Sequence, residues 1–220
     1  MNSIRELDLI FFNKKHIWSD FITKIEEYDI GPTELKVSHV GIVLSNKILK
    51  HIEYDGLMLF EAILSCDNCM DSMKIPDIGG RYLLGVQLRR LDKILEIDNK
   101  NCIIGTLINR PELTKDIIEQ LNNYYNMYLY RPFQLNPFSC FGAIFSCCRK
   151  IDQETQITPN SVFCSELVSI IYKAINVLPN MIEPKQMTPL DLAYLSLSNE
   201  GKQYKLNDIV KLSIYDNSKS

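Results

Sequence analysis

The segment SVFCSELVSIIYKAINVLP, residues 161–179, constrains this chain more than any other. From Cys164, the residues Val168, Ile171 and Ile175 follow at four, seven and eleven positions, the spacing of one face of an α-helix. A helix with such a face must bury it against a sheet or another helix. Cys164 stands at the amino-terminal end of that face. Free N–H groups and the positive end of the helix dipole both favour a thiolate there. With a basic neighbour, such a place can bring a thiol pKa from about 8.5 to roughly 3.5–7.5. Without one, Cys164 is a small residue in a packed core. Glu166 lies about 200° around the helix from Cys164, so it points away and is a poor partner.

A cysteine nucleophile needs a base, and the chain has three histidines. His16, in the charged stretch NKKHIW, reads as a solvated ring. His51 sits in LKHIEY, an alternating segment where a cross-strand surface role fits. His39 opens the β-branched stretch SHVGIVLS, and Gly41 leaves room beside the backbone for another group. A histidine at a strand start can be a satisfied core residue. Set beside Cys164, His39 is the leading base.

The other segments supply the frame. LDLIFF (7–12) reads as a buried strand, and 18–31 as a helix stopped by Gly31-Pro32. Residues 47–64 carry an Asp55-Gly56 turn between two strand-like runs, and 81–91 alternates like another strand. Residues 110–130 form a helix capped near Thr114, with Ile117, Ile118, Leu121 and Tyr125 on its apolar side. TPLDLAYLS (188–196) starts a short helix or turn, 208–216 is a closing strand, and about 216–220 is a frayed tail. Strands gather early and helices flank them, so the expected class is α+β. No internal repeat or low-complexity linker divides the chain.

Composition excludes several functions. A net charge of −3 gives no basic footprint for nucleic acid. The first fifteen residues carry charges and no long apolar stretch, so no export signal is expected. The longest apolar block, FSCFGAIFSCC (138–148), is too short to span a bilayer. The chain therefore reads as soluble, with no transmembrane segment and peripheral membrane contact left open. Seven cysteines, an odd number without a framework of spacings, argue for reduced thiols in a cytoplasmic, reducing compartment. Cys66 and Cys69 with Cys147 and Cys148 could offer four sulfurs to zinc, but vicinal cysteines do not converge easily on one tetrahedral ion. They read as buried or loop thiols, with no metal and no cofactor expected.

Taken in order, DLIFF (8–12), SHVGIV (38–43), LFEA (59–62), FCSELV (163–168) and TPLDLA (188–193) resemble the circularly permuted papain-like branch of the NlpC superfamily. That branch includes YiiX-like bacterial proteins and relatives in large DNA viruses. In unpermuted members the cysteine helix precedes the strands, whereas here His39 precedes Cys164. The resemblance implies one permuted papain-like domain over residues 1–220, an antiparallel sheet packed against helices with the nucleophile at a helix start. It implies Cys164 as nucleophile, His39 as base and Glu61 as the polar group that orients the imidazole. LYRPFQ (129–134) is loosely similar to an aromatic segment that members carry ahead of the cysteine. Two departures stand out: Leu7 replaces the usual glycine before Asp8, and a long segment, 45–58, separates the histidine and glutamate strands. The implied activity is cleavage of an amide, peptide or isopeptide-like, through a thioester on Cys164. Alternatives are acyl transfer or lipolysis on lipid acyl chains, and a non-catalytic binding module on the same fold. The partner would be a peptide-like or acyl-bearing substrate, met in a virion or host cytoplasm if the source is a large DNA virus.

This site makes a demand on the sheet. In a plain meander of 39–44, 47–54 and 57–64, a strand would separate His39 from Glu61. Their backbones would then lie on the order of 10 Å apart, and Glu61 would pair with Lys50. The triad instead requires Leu59–Ile63 to pair directly with His39–Leu44, leaving 45–56 as an excursion. Direct pairing is expected, with His39 and Glu61 meeting on the face that receives the Cys164 helix.

Overall fold

The structure is a computed structural model of the 220-residue chain. It describes residues 4–12, 37–63, 76–81, 85–98, 102–107, 110–132 and 161–194, and the backbone of 210–211. Among these residues are six strands: β1 (Leu9–Phe12), β2 (His39–Leu44), β3 (Met58–Ile63), β4 (Gly85–Arg90), β5 (Cys102–Gly105) and β6 (Val210–Lys211). They form one sheet in the order β4-β3-β2-β1-β5-β6, with every neighbouring pair antiparallel. The helices are α1 (Leu91–Asp98), α2 (Lys115–Tyr128), α3 (Cys164–Ala174) and α4 (Pro189–Tyr194), with a 3-10 turn at Pro184–Gln186. The class is α+β, as expected.

Both faces of the sheet are covered, which is why β1 is a continuous apolar run rather than an alternating one. Leu9, Phe11, Val40, Ile42, Leu44, Phe60 and Val86 pack with Leu167, Val168 and Ile171 of α3. On the other face Ile10, Phe12, Val43 and Leu59 pack with Leu91 and Ile94 of α1. The outer edge of β4 is closed by the chain after α2: Tyr130 N–H donates to Val86 O (2.9 Å) and Val86 N–H to Arg131 O (2.8 Å). Gly85 makes this closure feasible, because its φ is +99° and a Cβ there would lie 2.1 Å from Arg131 O.

The helix ends follow local chemistry. Ile117 N–H donates to Thr114 Oγ1 (3.4 Å) at the start of α2, so the expected cap is present. Thr188 and Asp191 exchange bonds across the first turn of α4, at 2.8 and 3.0 Å. After α3, Asn176 takes φ +58° while Val177 N–H donates to Tyr172 O (2.7 Å) and Asn176 N–H to Lys173 O (3.1 Å), a Schellman ending.

Some expectations need correction. The first run of the supposed hairpin, 47–54, is not a strand. Ile48 and Leu49 both donate to Ser45 O (3.0 and 2.9 Å) and Ile52 donates to Leu49 O (2.9 Å), so turns bury Ile48 and Leu49 instead. Asp55-Gly56 accordingly joins no strand pair. The 7–12 strand begins at Leu9, because Leu7 takes φ +68°. The 81–91 strand is Gly85–Arg90, and Leu91 opens α1, which with β5 was not foreseen. The 18–31 helix, His16, the block 138–148, Cys66, Cys69, Cys147, Cys148, most of the closing strand and the tail lie outside the described residues.

Candidate functional site

The long excursion between β2 and β3 does not separate the two strands. They pair directly, with Ile42 opposite Phe60, Val43 opposite Leu59 and Leu44 opposite Met58. Continuing that register sets Gly41 across from Glu61. A Cβ at Gly41 would lie 2.8 Å from Leu59 Cγ and 3.0 Å from Glu61 Cβ, so the glycine lets Leu59 and Glu61 pack against β2. The consequence is a bond from His39 Nε2 to Glu61 Oε2 at 2.6 Å. Lys50 is exposed and takes no part.

Glu61 is 0% exposed, and its other oxygen is occupied too. Arg89, 1% exposed on β4, donates to Glu61 Oε1 from Nε at 2.8 Å and from Nη2 at 2.6 Å. His39, with its side chain 12% exposed, is the outer member of this row. A carboxylate that receives bonds at both oxygens is acting as an ionised acceptor. Nε2 is then the protonated ring nitrogen, and in the neutral ring Nδ1 carries the lone pair. Phe12 stands opposite His39 in register, with ring centroids 5.4 Å apart.

The face differs from the expected one. Val40, Ile42 and Leu44 point toward α3, so alternation sends His39, Gly41 and Val43 to the opposite face. Phe12 and Leu59, neighbours of His39 and Glu61, belong to the cluster under α1. The reason lies in β2 itself: its alternate residues Val40, Ile42 and Leu44 are all sizeable apolar groups, and α3 takes that set.

Cys164 opens α3 as expected and is 6% exposed. Its helix approaches the end of the sheet at which β2 begins. Gly85 pairs with Ile63 there, Arg131 bonds Val86, and Val162 N–H donates to Pro132 O (3.3 Å) just before the helix. His39, the row behind it and the start of α3 thus share one end of the sheet. Unlike Thr114 and Thr188, the residue preceding α3 is Phe163, which has no side-chain acceptor for the first-turn N–H groups. Glu166 instead accepts from Phe163 N–H through Oε2 (3.4 Å), which explains that residue locally. Burial raises its pKa, while the Phe163 N–H and the Lys185 charge oppose the rise.

The rest of α3 is held firmly. Ser165 Oγ donates to Met187 O (2.6 Å), Ser169 Oγ to Ser165 O (2.7 Å) and Tyr172 OH to Leu7 O (2.5 Å). Leu7 N–H in turn donates to Val43 O (2.8 Å), so the left-handed residue ties β2 to the far part of the helix. Asp8, fully buried, accepts from Arg110 Nη2 (2.6 Å) and from Leu107 N–H (3.1 Å).

Cys102 shares the face of His39, but Phe12 lies between them in register. His51 packs against the Tyr125 ring at 5.4 Å, away from the site. Arg89 is the residue that sequence reasoning missed. In GVQLRR it looks like its neighbour Arg90, and only the β3–β4 register, with Arg89 opposite Leu59, separates the buried arginine from the exposed one.

No protein-family model matches the chain, and no curated protein matches it. Among solved structures, the crystal structure of metalloprotein yiiX from Escherichia coli O157:H7 is similar to it, with a TM-score of 0.44 and 17% identity, covering 94% of this chain and 88% of that chain. Among the described residues of the present chain, no group of three or more His, Cys, Asp or Glu side chains is arranged to hold a metal ion. Among the same residues, no helix is long and apolar enough to cross a membrane.

Proposed function

We propose that this chain is a cysteine hydrolase of the circularly permuted papain-like branch of the NlpC superfamily, cleaving an amide bond of a peptide-like substrate. The observation that carries the reading is the 2.6 Å bond between His39 Nε2 and Glu61 Oε2, made by direct β2–β3 pairing at the sheet end where α3 begins. In this reading the Cys164 thiol and the His39 ring meet around the end of β2, with Nδ1 toward the sulfur. His39 takes the thiol proton, and the thiolate attacks the amide carbonyl carbon. The tetrahedral oxyanion is held by N–H groups of the first turn of α3. His39 then gives its proton to the departing amine as the C–N bond breaks, leaving a thioester on Cys164. A water molecule, deprotonated by His39, attacks the thioester and releases the acid, and the proton returns to the thiolate. Glu61 keeps the ring in the tautomer that each transfer needs. Thiolate chemistry of this kind suits a reducing compartment such as cytoplasm.

The test is an activity-based thiol probe with per-cysteine mass spectrometry across pH. Cys164 is expected to be the fastest of the seven thiols near neutral pH, with labelling abolished in Cys164→Ala and slowed at least about 100-fold in His39→Ala. Labelling of Cys164 no faster than Cys66 or Cys147, with an ordinary thiol profile, would overturn the reading in favour of a binding module.

A further inference from the structure

We infer that Arg89 is a positioning residue that acts on His39 through Glu61, a role that rests on the cysteine-hydrolase reading for its use in catalysis. The geometry divides the carboxylate between two partners. Arg89 places both Nε (2.8 Å) and Nη2 (2.6 Å) on Oε1, and Oε2 alone meets His39 Nε2 (2.6 Å). A planar fork on one oxygen fixes the carboxylate's rotation as well as its charge, which an ammonium point charge cannot do. The fork is itself fixed, since Arg89 sits within β4, opposite Leu59, and is 1% exposed.

A buried ion pair is weak evidence of a stabilising device, because apolar residues of similar volume often serve stability as well or better. What this pair does that apolar residues could not is hold an ionised acceptor under an imidazole that reaches the surface. Among the described residues, His39 meets Glu61 on β3, backed by Arg89 on β4, and the uncharged Phe12 ring on β1. Cys164 lies at the same end of the sheet. Without the guanidinium, the form of the pair with neutral His39 and ionised Glu61 would be a buried charge that has lost its Arg89 counter-charge. The pair would then keep its proton to higher pH, whichever member carries it. That change would alter which of His39 and Cys164 holds the proton near neutral pH, the balance on which a thiolate–imidazolium pair depends.

The experiment follows the His39 ring by nitrogen NMR across pH, alongside Cys164 alkylation, in the full chain and in Arg89→Gln, Arg89→Lys, Glu61→Gln and Glu61→Gln/Arg89→Gln variants. In Arg89→Gln the pair is expected to release its proton about 1–3 units higher than in the parent. Arg89→Lys, which keeps the charge and loses the fork, should titrate close to the parent and still alkylate Cys164 about tenfold more slowly. Adding Arg89→Gln to Glu61→Gln should cause no further loss, because the arginine acts through the carboxylate. The double variant has no buried carboxylate left uncompensated, so the test survives if Arg89→Gln alone does not fold. An unchanged His39 titration in folded Arg89→Gln would overturn the inference, as would full alkylation rate in Arg89→Lys or an equal further loss in the double variant. A His39 titration that moves as stated, beside a Cys164 rate indifferent to His39→Ala, would support Arg89's hold on the ring and overturn the hydrolase reading instead.

Discussion

The two faces of this sheet solve burial in opposite ways. Under α3, the interior is a continuous apolar cluster running from Leu9 and Phe11 through Val40, Ile42 and Phe60 to Leu167 and Val168. On the α1 side an apolar patch of Ile10, Phe12, Val43 and Leu59 adjoins the buried ionic row of Glu61 and Arg89, ending at His39. The first face is interchangeable in kind, since any well-packed apolar set of the same volume would serve. The second is specific in kind, since each polar group there depends on the next.

The largest effect that could break this comparison is an energetic one. Arg89→Met leaves Glu61 buried without its guanidinium and is expected to cost about 3–5 kcal/mol in urea unfolding. Glu61→Leu/Arg89→Met should recover most of that loss, because the uncompensated charge is gone. Leu167→Ala on the apolar face should cost about 2–5 kcal/mol through the cavity it leaves. That loss should add independently to either polar-face variant. If the double variant is as unstable as the sum of its singles, the polar row is not a linked unit and the contrast between the faces fails.

The same contrast decides what could be read from the sequence. β2, β3, α2 and α3 declared themselves, because apolar residues at spacing two or at three-and-four leave a pattern in a single chain. The Thr114 cap was equally local. The stretch 47–54 misled because its apolar residues alternate like a strand, yet Ser45 O captures two N–H groups and rolls Ile48 and Leu49 into the core. α1 was hidden because it opens at Leu91 directly after β4 ends at Arg90, with no turn residue or cap between them, and β5 was not foreseen either. At the candidate site, the motif order put His39 and Glu61 forward together, and the direct pairing of their strands was legible from the reach of a hydrogen bond. Arg89 was not, because Arg89 and Arg90 differ only in register against β3. The face taken by His39 was also misjudged, although the larger apolar set in β2, Val40, Ile42 and Leu44, excludes His39 and was the available clue.

A smaller effect tests how tightly the apolar side is tied together. Leu7 is buried at φ +68°, a conformation that costs an L-residue roughly 1–2 kcal/mol and glycine almost nothing. Its N–H and C=O are committed to Val43 and Tyr172, which keeps the backbone there. Burial, with Asp8 adding to it, pushes the Tyr172 hydroxyl well above its ordinary pKa, so it remains a donor. Both Leu7→Ala and Leu7→Gly lose the apolar side chain. Leu7→Gly should nevertheless be the more stable of the two by about 1 kcal/mol, the reverse of the usual order. Equal stability, or the usual order, would mean that the chain before β1 relaxes and that the bonds from Leu7 to β2 and α3 do not hold it.

The smallest effect concerns Glu166, the buried acid that α3 itself carries. Glu166 has its pKa raised above the ordinary 4.5, first by burial, with the Phe163 N–H and Lys185 opposing. A raised value means that the folded chain holds this proton more tightly than the unfolded one. The stability linked to it is therefore fully present below the unfolded value and is lost as pH rises through the folded value. Glu166→Gln keeps an oxygen that can accept from Phe163 N–H and removes the charge. It should match the parent in acid and become the more stable protein as pH climbs toward neutral, by less than either effect above. Urea unfolding of both proteins at several pH values reads the difference directly. A Gln variant that loses stability toward neutral pH would show that the carboxylate's charge is wanted at the start of α3. The apolar side would then depend on a charge of its own at the start of α3, and the division between the two faces would have to be redrawn.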